Sequence, residues 1–251
     1  MGWGDVFLPP TATPPPAGEC HLWPVSIADH PDLHDLLDAA EQRQVPRYLV
    51  EHARRTFVMS RAMQRLIGAH YLGKDPRSVT IDRRCSECGD DHGRPRWVAA
   101  RHLDYSVSHA GAWLLVAVVG SGRVGVDVEH AIHPLHDDEA LASRVLTPGE
   151  QACRAALPRE HRTGWFYRAW SRKEAAVKLA GHGLRVQLSD VDVSGPAVLS
   201  PASPPDWPSE PIWLWHLPAP PEYAASLATT DPLRTIRNCG PVGTVAGTPQ
   251  R

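Results

Sequence analysis

Residues 103–129 read LDYSVSHAGAWLLVAVVGSGRVGVDVE, and this stretch decides which folds are open to the chain. Leu103–His109 and Trp113–Val119 have the β-branched, apolar character of strands, with the small residues Ala110, Gly111 and Ala112 as a turn between them. After Gly120-Ser121-Gly122, Val124–Glu129 forms a further short strand. Strand alternation puts Val124, Val126 and Val128 on one face and Gly125, Asp127 and Glu129 on the other. On both sides the period changes. Residues 32–73 are helical in pattern with a break at Pro46, and Arg47–Leu72 is free of proline. Phe57, Met63, Leu66 and Ile67 supply its apolar positions, and Arg54, Arg61 and Arg65 fall on its polar side. Residues 147–157 and 163–180 are two more helices, the second stopped by Gly181 and Gly183. Cys20–Ile27 forms a first strand. Ile212–Leu217 and Tyr223–Ala228 form the last two, the former within a segment carrying nine prolines between 195 and 221. Short strands mixed with long helices define the α+β class. Gly120–Gly122 is the best internal boundary, dividing 20–120 from 121–230. Residues 1–19 form a Pro-rich leader, and 231–251, without any period, form a frayed tail.

Composition narrows the function. The chain has 251 residues, 42% hydrophobic, and a formal net charge of −2, which speaks against a nucleic-acid backbone as main partner. No window holds 18 consecutive apolar residues, so no membrane-spanning helix is expected. The first residues lack the basic and apolar regions of a secretory signal. Five thinly spread cysteines (Cys20, Cys85, Cys88, Cys153, Cys239) fit a reduced, cytoplasmic protein. Only three of the 26 basic residues are lysine, and two of them, Lys173 and Lys178, lie in one short segment.

Chemistry-bearing residues fall in five groups. Asp127 and Glu129 share a strand face with their backbones about 6–7 Å apart, close enough to converge on one hard cation. In Trp170-Ser171-Arg172-Lys173-Glu174-Ala175-Ala176-Val177-Lys178, helical spacing puts Trp170, Glu174 and Lys178 on one face. Together these offer three acids and one ammonium, a kit suited to phosphoryl chemistry. Tyr105-Ser106-Val107-Ser108-His109 places Ser106 and Ser108 on one face and Val107 and His109 on the other, with donors for a phosphate but no nucleophile elbow. Cys85-Ser86-Glu87-Cys88, followed by His92, is half of a zinc pattern without a second pair of matching spacing. It leads into Gly93-Arg94-Pro95, a rigid turn presenting an arginine. Arg54, Arg55, Arg61 and Arg65 complete the set, with Arg54 and Arg61 seven residues apart on one helix face.

In order and spacing, these motifs resemble the 4′-phosphopantetheinyl transferases. Gly125-Val126-Asp127-Val128-Glu129 and Trp170-Ser171-Arg172-Lys173-Glu174-Ala175-Ala176-Val177-Lys178 are similar to that family's two central signatures. Ser106-Val107-Ser108-His109, Gly93-Arg94-Pro95 and the helix from Phe57 to Arg61 are similar to its upstream motifs. The length resembles the larger, two-halved class. The resemblance implies two similar α+β halves related by a pseudo-twofold, with the active site in the cleft between them, working as a monomer. It implies transfer of the phosphopantetheine arm of coenzyme A to a serine of an acyl or peptidyl carrier protein, releasing adenosine 3′,5′-bisphosphate. It further implies that Asp127, Glu129 and Glu174 hold Mg²⁺, and that Glu174 doubles as general base. Lys178 would meet the phosphate on which charge develops. Ser108 and His109 would contact phosphate, and Arg54, Arg61, Gly93, Arg94 and Pro95 would clamp the adenosine bisphosphate end. Lys173, next to Glu174 around the helix, points elsewhere, as a structural or carrier-facing residue.

Two other classes compete. A zinc-ribbon-like binding module on Cys85, Cys88 and His92 predicts bound zinc and no turnover. A serine hydrolase on Ser108 and His109 predicts no Mg²⁺ requirement. Neither accounts for Asp127, Glu129, Glu174 and Lys178 occurring together.

Overall fold

The structure, a computed structural model, describes residues 13–27, 31–85, 88–131, 139–198 and 207–239. Its elements in chain order are β1 (Glu19–Ser26), α1 (Ala39–Gln44), α2 (Glu51–Leu72), β2 (Ile81–Asp82), β3 (Arg96–Trp97), β4 (Asp104–Ala110), β5 (Trp113–Val119), β6 (Val124–His130), α3 (Glu139–Val145), α4 (Pro148–Ala155), α5 (Arg159–Ala180), β7 (Ala197–Val198), β8 (Ile212–Leu217), β9 (Tyr223–Thr229) and β10 (Thr235–Asn238). They form two compact units. One takes the chain up to Ser121 and the strand residues from Ile236, and the other begins at Gly122 and runs to Thr235.

The first unit is built on a sheet in the order β10-β1-β5-β4. β5 pairs antiparallel with both β1 and β4, which explains why WLLVAVV is apolar on both faces: six of its seven residues are buried. The 22-residue helix α2 supplies Met59, Met63 and Ile67 to the same core as Trp23, Trp97, Tyr105 and Val116. Of the helical stretch expected over 32–73, Pro31–Leu36 is 3-10, and the break at Pro46 is a 3-10 turn, Val45–Arg47, followed by extended Tyr48 and Val50; α2 then runs unbroken to Gly73, whose φ of 61° caps it. The segment that carries Cys85, Cys88, His92 and Gly93-Arg94-Pro95 is closed at its base by β2 and β3, which pair antiparallel as a two-stranded ribbon.

The second unit repeats the plan with different side chains: a sheet in the order β6-β9-β8-β7 and a 22-residue helix, α5. Phe166, Ala176 and Leu179 of α5 meet Ile212, Leu214 and Ala228 of the sheet. The helix starts at Arg159, before the expected Thr163, because nothing after Pro158 interrupts it. Two α+β halves, each a four-stranded sheet with one long helix, are therefore present.

Three expectations change. The tail from 231 is not frayed throughout: β10 pairs with β1, the Cys239 N–H donates to the Leu22 carbonyl at 2.7 Å, and Arg237 lies 3.3 Å from Glu19. TIRN is a mostly exposed edge strand, so it has no apolar face for periodicity to reveal. The leader ends one residue earlier, since β1 begins at Glu19; residues 1–12 lie outside the described residues. Arg65 is not on a solvated face but only 3% exposed.

Candidate active site

The acidic centre is made where β6 lies against α5. Gly125 sets the approach. A Cβ there would run into the Ala175 carbonyl oxygen and come within 2.7 Å of the Leu179 nitrogen. Only glycine lets strand and helix backbones come this close. Two residues on, the same face of β6 carries Asp127, 2% exposed, and the Lys178 ammonium on α5 reaches it at 2.7 Å. Glu129 follows on the strand, and Glu174 lies one turn before Lys178, with the Trp170 indole donating to its carboxylate. The face of Asp127 and Glu129 and the face of Glu174 and Lys178 are thus brought together.

The electrostatics show how crowded these acids are. Burial, then the neighbouring Asp127, pushes Glu129 from 4.5 up to about 8, with Glu174 adding to the effect and Lys178 opposing it. Glu174 is raised for the same first two reasons, against which Lys178 and the Trp170 hydrogen bond act. Three carboxylates held in mutual repulsion, with one ammonium among them, form an all-oxygen donor set that suits a hard divalent cation such as Mg²⁺.

Lys173 belongs elsewhere. It is fully buried: Nζ lies 2.6 Å from Glu150 Oε2, donates to the Leu188 carbonyl at 2.9 Å and also donates to the Val191 carbonyl. Glu150 in turn accepts the N–H of Thr147 at 2.8 Å, closing the capping box of α4, and that of Val193 at 2.9 Å. One buried ion pair therefore ties α4, α5 and the 188–193 loop together, which makes Lys173 structural rather than carrier-facing.

The first unit holds the arginines. Glu41, 4% exposed, receives Arg65 at 2.7 Å and Arg83 at 3.2 Å, with Arg61 at 3.8 Å. Arg65 also reaches Asp38 at 2.9 Å. Gln64, fully buried, accepts from Arg83 at 3.0 Å and from the Tyr105 hydroxyl at 3.1 Å. Arg61 is the most loosely paired of the three, its guanidinium lying 5.2 Å over the Phe57 ring. The Phe57–Arg61 spacing of four residues makes this stack. Arg54 stands at the exposed start of α2 and pairs with Glu51. Arg94 is held by both carboxylate oxygens of Asp104 on β4. Gly93 is required at the turn, since its N–H donates to Arg83 O at 2.6 Å and a Cβ would meet Arg84 O at 2.6 Å. Pro95 leads into β3, whose Trp97 is fully buried, stacked on Tyr105 at 4.1 Å. Ser108 is buried and His109 exposed, on opposite faces of β4 as alternation demands, which does not make them a nucleophile and base. Cys85, Cys88 and His92 converge within 4.8 Å of one another.

Glu41, Gln64, Arg83 and Glu150 are the working residues the sequence reading missed. Two of them carried a signal: Asp38-x-x-Glu41 and Thr147-x-x-Glu150 are both capping boxes.

With this geometry in view, comparison with known proteins is decisive. The model of the 4′-phosphopantetheinyl transferase superfamily matches residues 123–227, and that of the 4′-phosphopantetheinyl transferase N-terminal domain matches residues 21–121. The chain belongs to the 4′-phosphopantetheinyl transferase superfamily. It is 30% identical to the 4′-phosphopantetheinyl transferase HetI of Nostoc sp. over 203 residues, 78% of this chain and 80% of that protein. It is 30% identical to a 4′-phosphopantetheinyl transferase of Bacillus subtilis over 62% of this chain and 65% of that one. Against AcpT of Salmonella typhi it is 36% identical over 44% of this chain and 56% of the relative.

Proposed function

We propose that this chain transfers the 4′-phosphopantetheine arm of coenzyme A to a serine hydroxyl of an acyl or peptidyl carrier protein. The observation that carries this reading is the convergence of Asp127, Glu129, Glu174 and Lys178 at the close contact of β6 with α5.

Asp127, Glu129 and Glu174 would hold Mg²⁺, which when bound offsets charge on the pyrophosphate. The carrier serine oxygen forms a bond to the phosphorus bearing the pantetheine arm. The bond from that phosphorus to the bridging oxygen breaks, and adenosine 3′,5′-bisphosphate departs with the electron pair. Glu174 takes the serine proton, directly or through water; its burial makes it a stronger base than an exposed glutamate. Asp127 positions Lys178, whose ammonium offers charge to the phosphate oxygens. Arg61, over Phe57, and Arg94, braced by Asp104, would bind the adenosine bisphosphate end, with Arg54 as a further cation and Ser108 and His109 as hydrogen-bond donors. The five cysteines, none in a disulfide, fit work in the reducing cytoplasm, and a two-unit chain fits a monomer.

The test is intact mass spectrometry of an apo carrier protein incubated with the chain, coenzyme A and Mg²⁺. The carrier should gain one phosphopantetheine, and the gain should vanish with EDTA and in Asp127→Asn. Full loading by Asp127→Asn would refute the metal assignment. Absence of loading, with no coenzyme A binding by calorimetry, would refute the reaction.

A further inference from the structure

The sequence motif left unused by the acidic centre is Cys85-x-x-Cys88-x-x-x-His92. Its three ligand atoms, two sulfurs and one imidazole nitrogen, all lie within 4.8 Å of one another. A tetrahedral Zn²⁺ with bonds of about 2.3 Å to sulfur and 2.0 Å to nitrogen has ligand–ligand edges of about 3.5–3.8 Å. The cluster therefore brackets one ion.

The backbone is shaped for the same purpose. Gly89, directly after the second cysteine, has φ of 77°, a conformation that strains any other residue. The Gly89 N–H donates to Cys85 O at 3.1 Å, and the Cys85 N–H donates to Asp90 O at 2.8 Å. The Asp90 N–H donates to Cys88 Sγ at 3.4 Å, a contact that steadies a thiolate. The His92 N–H donates to Asp90 O at 3.0 Å, and His92 Nε2 sits 2.9 Å from Cys88 Sγ. These hydrogen bonds draw Cys85 and residues 88–92 together, with both sulfurs and the imidazole nitrogen in one cluster. Two thiolates and an imidazole are soft and borderline donors. They favour zinc over the Mg²⁺ that suits the oxygen set of Asp127, Glu129 and Glu174.

We propose that Cys85, Cys88 and His92 form a zinc site, with solvent in the fourth position, whose role is to hold the turn that presents Arg94. His92 is followed at once by Gly93, which is latched to Arg83 O at 2.6 Å, and then by Arg94 on Asp104. The ion closes the outer end of a segment whose inner end is closed by β2 and β3 and by the buried Trp97. Site formation needs no reaction beyond loss of the thiol protons to solvent as the metal binds. The link to Arg94 rests on the coenzyme A reading above; the zinc site does not.

The experiment is to purify the full chain under reducing conditions, add zinc, dialyse, and measure metal by plasma mass spectrometry. About one zinc per chain is expected in the wild type and less than about a tenth in Cys88→Ser and His92→Ala. Both variants are checked for wild-type circular dichroism. Cobalt substitution should give an intense thiolate-to-metal band that Cys88→Ser abolishes. A chain that takes up no zinc, a Cys85–Cys88 disulfide formed in preference to metal binding, or zinc retained in Cys85→Ser/Cys88→Ser would each overturn the site. In the same preparations, removing zinc with a zinc-selective chelator should raise the KM for coenzyme A at unchanged kcat. An unchanged KM with zinc fully removed would overturn the link to Arg94. A chain that binds zinc but loads no carrier under any condition refutes the transferase reading and leaves the zinc site standing.

Discussion

Lys173 lies one residue from Glu174, and its contacts make it a keystone of the fold rather than a reactant. Replacing it with methionine keeps most of the aliphatic volume and deletes the ammonium. Glu150, 2% exposed, then keeps its N–H donors from Thr147 and Val193 but loses its cation, and the carbonyls of Leu188 and Val191 lose a donor. Breaking a buried ion pair from one side costs about 3–5 kcal/mol, because the remaining charge stays buried. In a chain of this size each kcal/mol moves Tm by about 2–4 °C, so Lys173→Met should lower Tm by roughly 6–20 °C. Lys173→Met/Glu150→Gln removes the stranded charge as well, and should recover at least about half of that loss. Differential scanning calorimetry measures both. At a temperature where Lys173→Met is still folded, its carrier-loading kcat should stay within about threefold of wild type, since a group that never touches substrate contributes nothing to the barrier. A Tm within about 2 °C of wild type combined with abolished turnover would refute the reasoning and make Lys173 a reacting group.

Glu129→Gln should raise the Tm of metal-free protein by an amount that grows with pH. The folded-state pKa of about 8 lies above the unfolded 4.5, so the folding cost of the acid is absent below 4.5 and fully present above about 8. Thermal melts in EDTA from pH 5 to 9 check this. A pH-independent difference would count against the crowding of the acids, and added Mg²⁺ should stabilise wild type more than the variant. Arg61→Ala should raise the coenzyme A KM about tenfold or more with kcat little changed, as loss of a guanidinium–phosphate contact does; steady-state kinetics with varied coenzyme A would show an unchanged KM if Arg61 stands outside the site. Gly125→Ala should cost about 1–3 kcal/mol and depress turnover, because the added methyl forces α5 away from β6; urea unfolding and carrier loading measure the two effects.

Much of the site was legible because its chemistry follows strand and helix periods. The i, i+2 spacing of Asp127 and Glu129 and the i, i+4 spacing of Trp170, Glu174 and Lys178 each define a face before any tertiary contact is known. The Gly93-Arg94-Pro95 turn was visible for a similar local reason, whereas the stack of Arg61 on Phe57 came only with the structure. What escaped were long-range pairings such as Arg65 with Glu41, Arg83 with Gln64 and Lys173 with Glu150. Arg65 and Arg83 look like solvated arginines until Glu41 is beside them, 24 and 42 residues away in sequence, and Gln64 beside Arg83, 19 residues away. Strand β10 escaped because an exposed edge strand carries no hydrophobic pattern, only backbone groups that need a partner.

The sequence by itself determined the α+β class, the long helices and their glycine stops, and the alternation that puts two acids on one strand face. It did so because these depend on propensity and period within a few residues. Only the tertiary structure decided that Gly125 brings that acidic face against α5, that Lys178 meets Asp127 while Lys173 turns away to Glu150, and that two cysteines and a histidine converge on one point. Those outcomes depend on which backbones approach within a few ångströms, a property of packing between distant segments that no local pattern encodes.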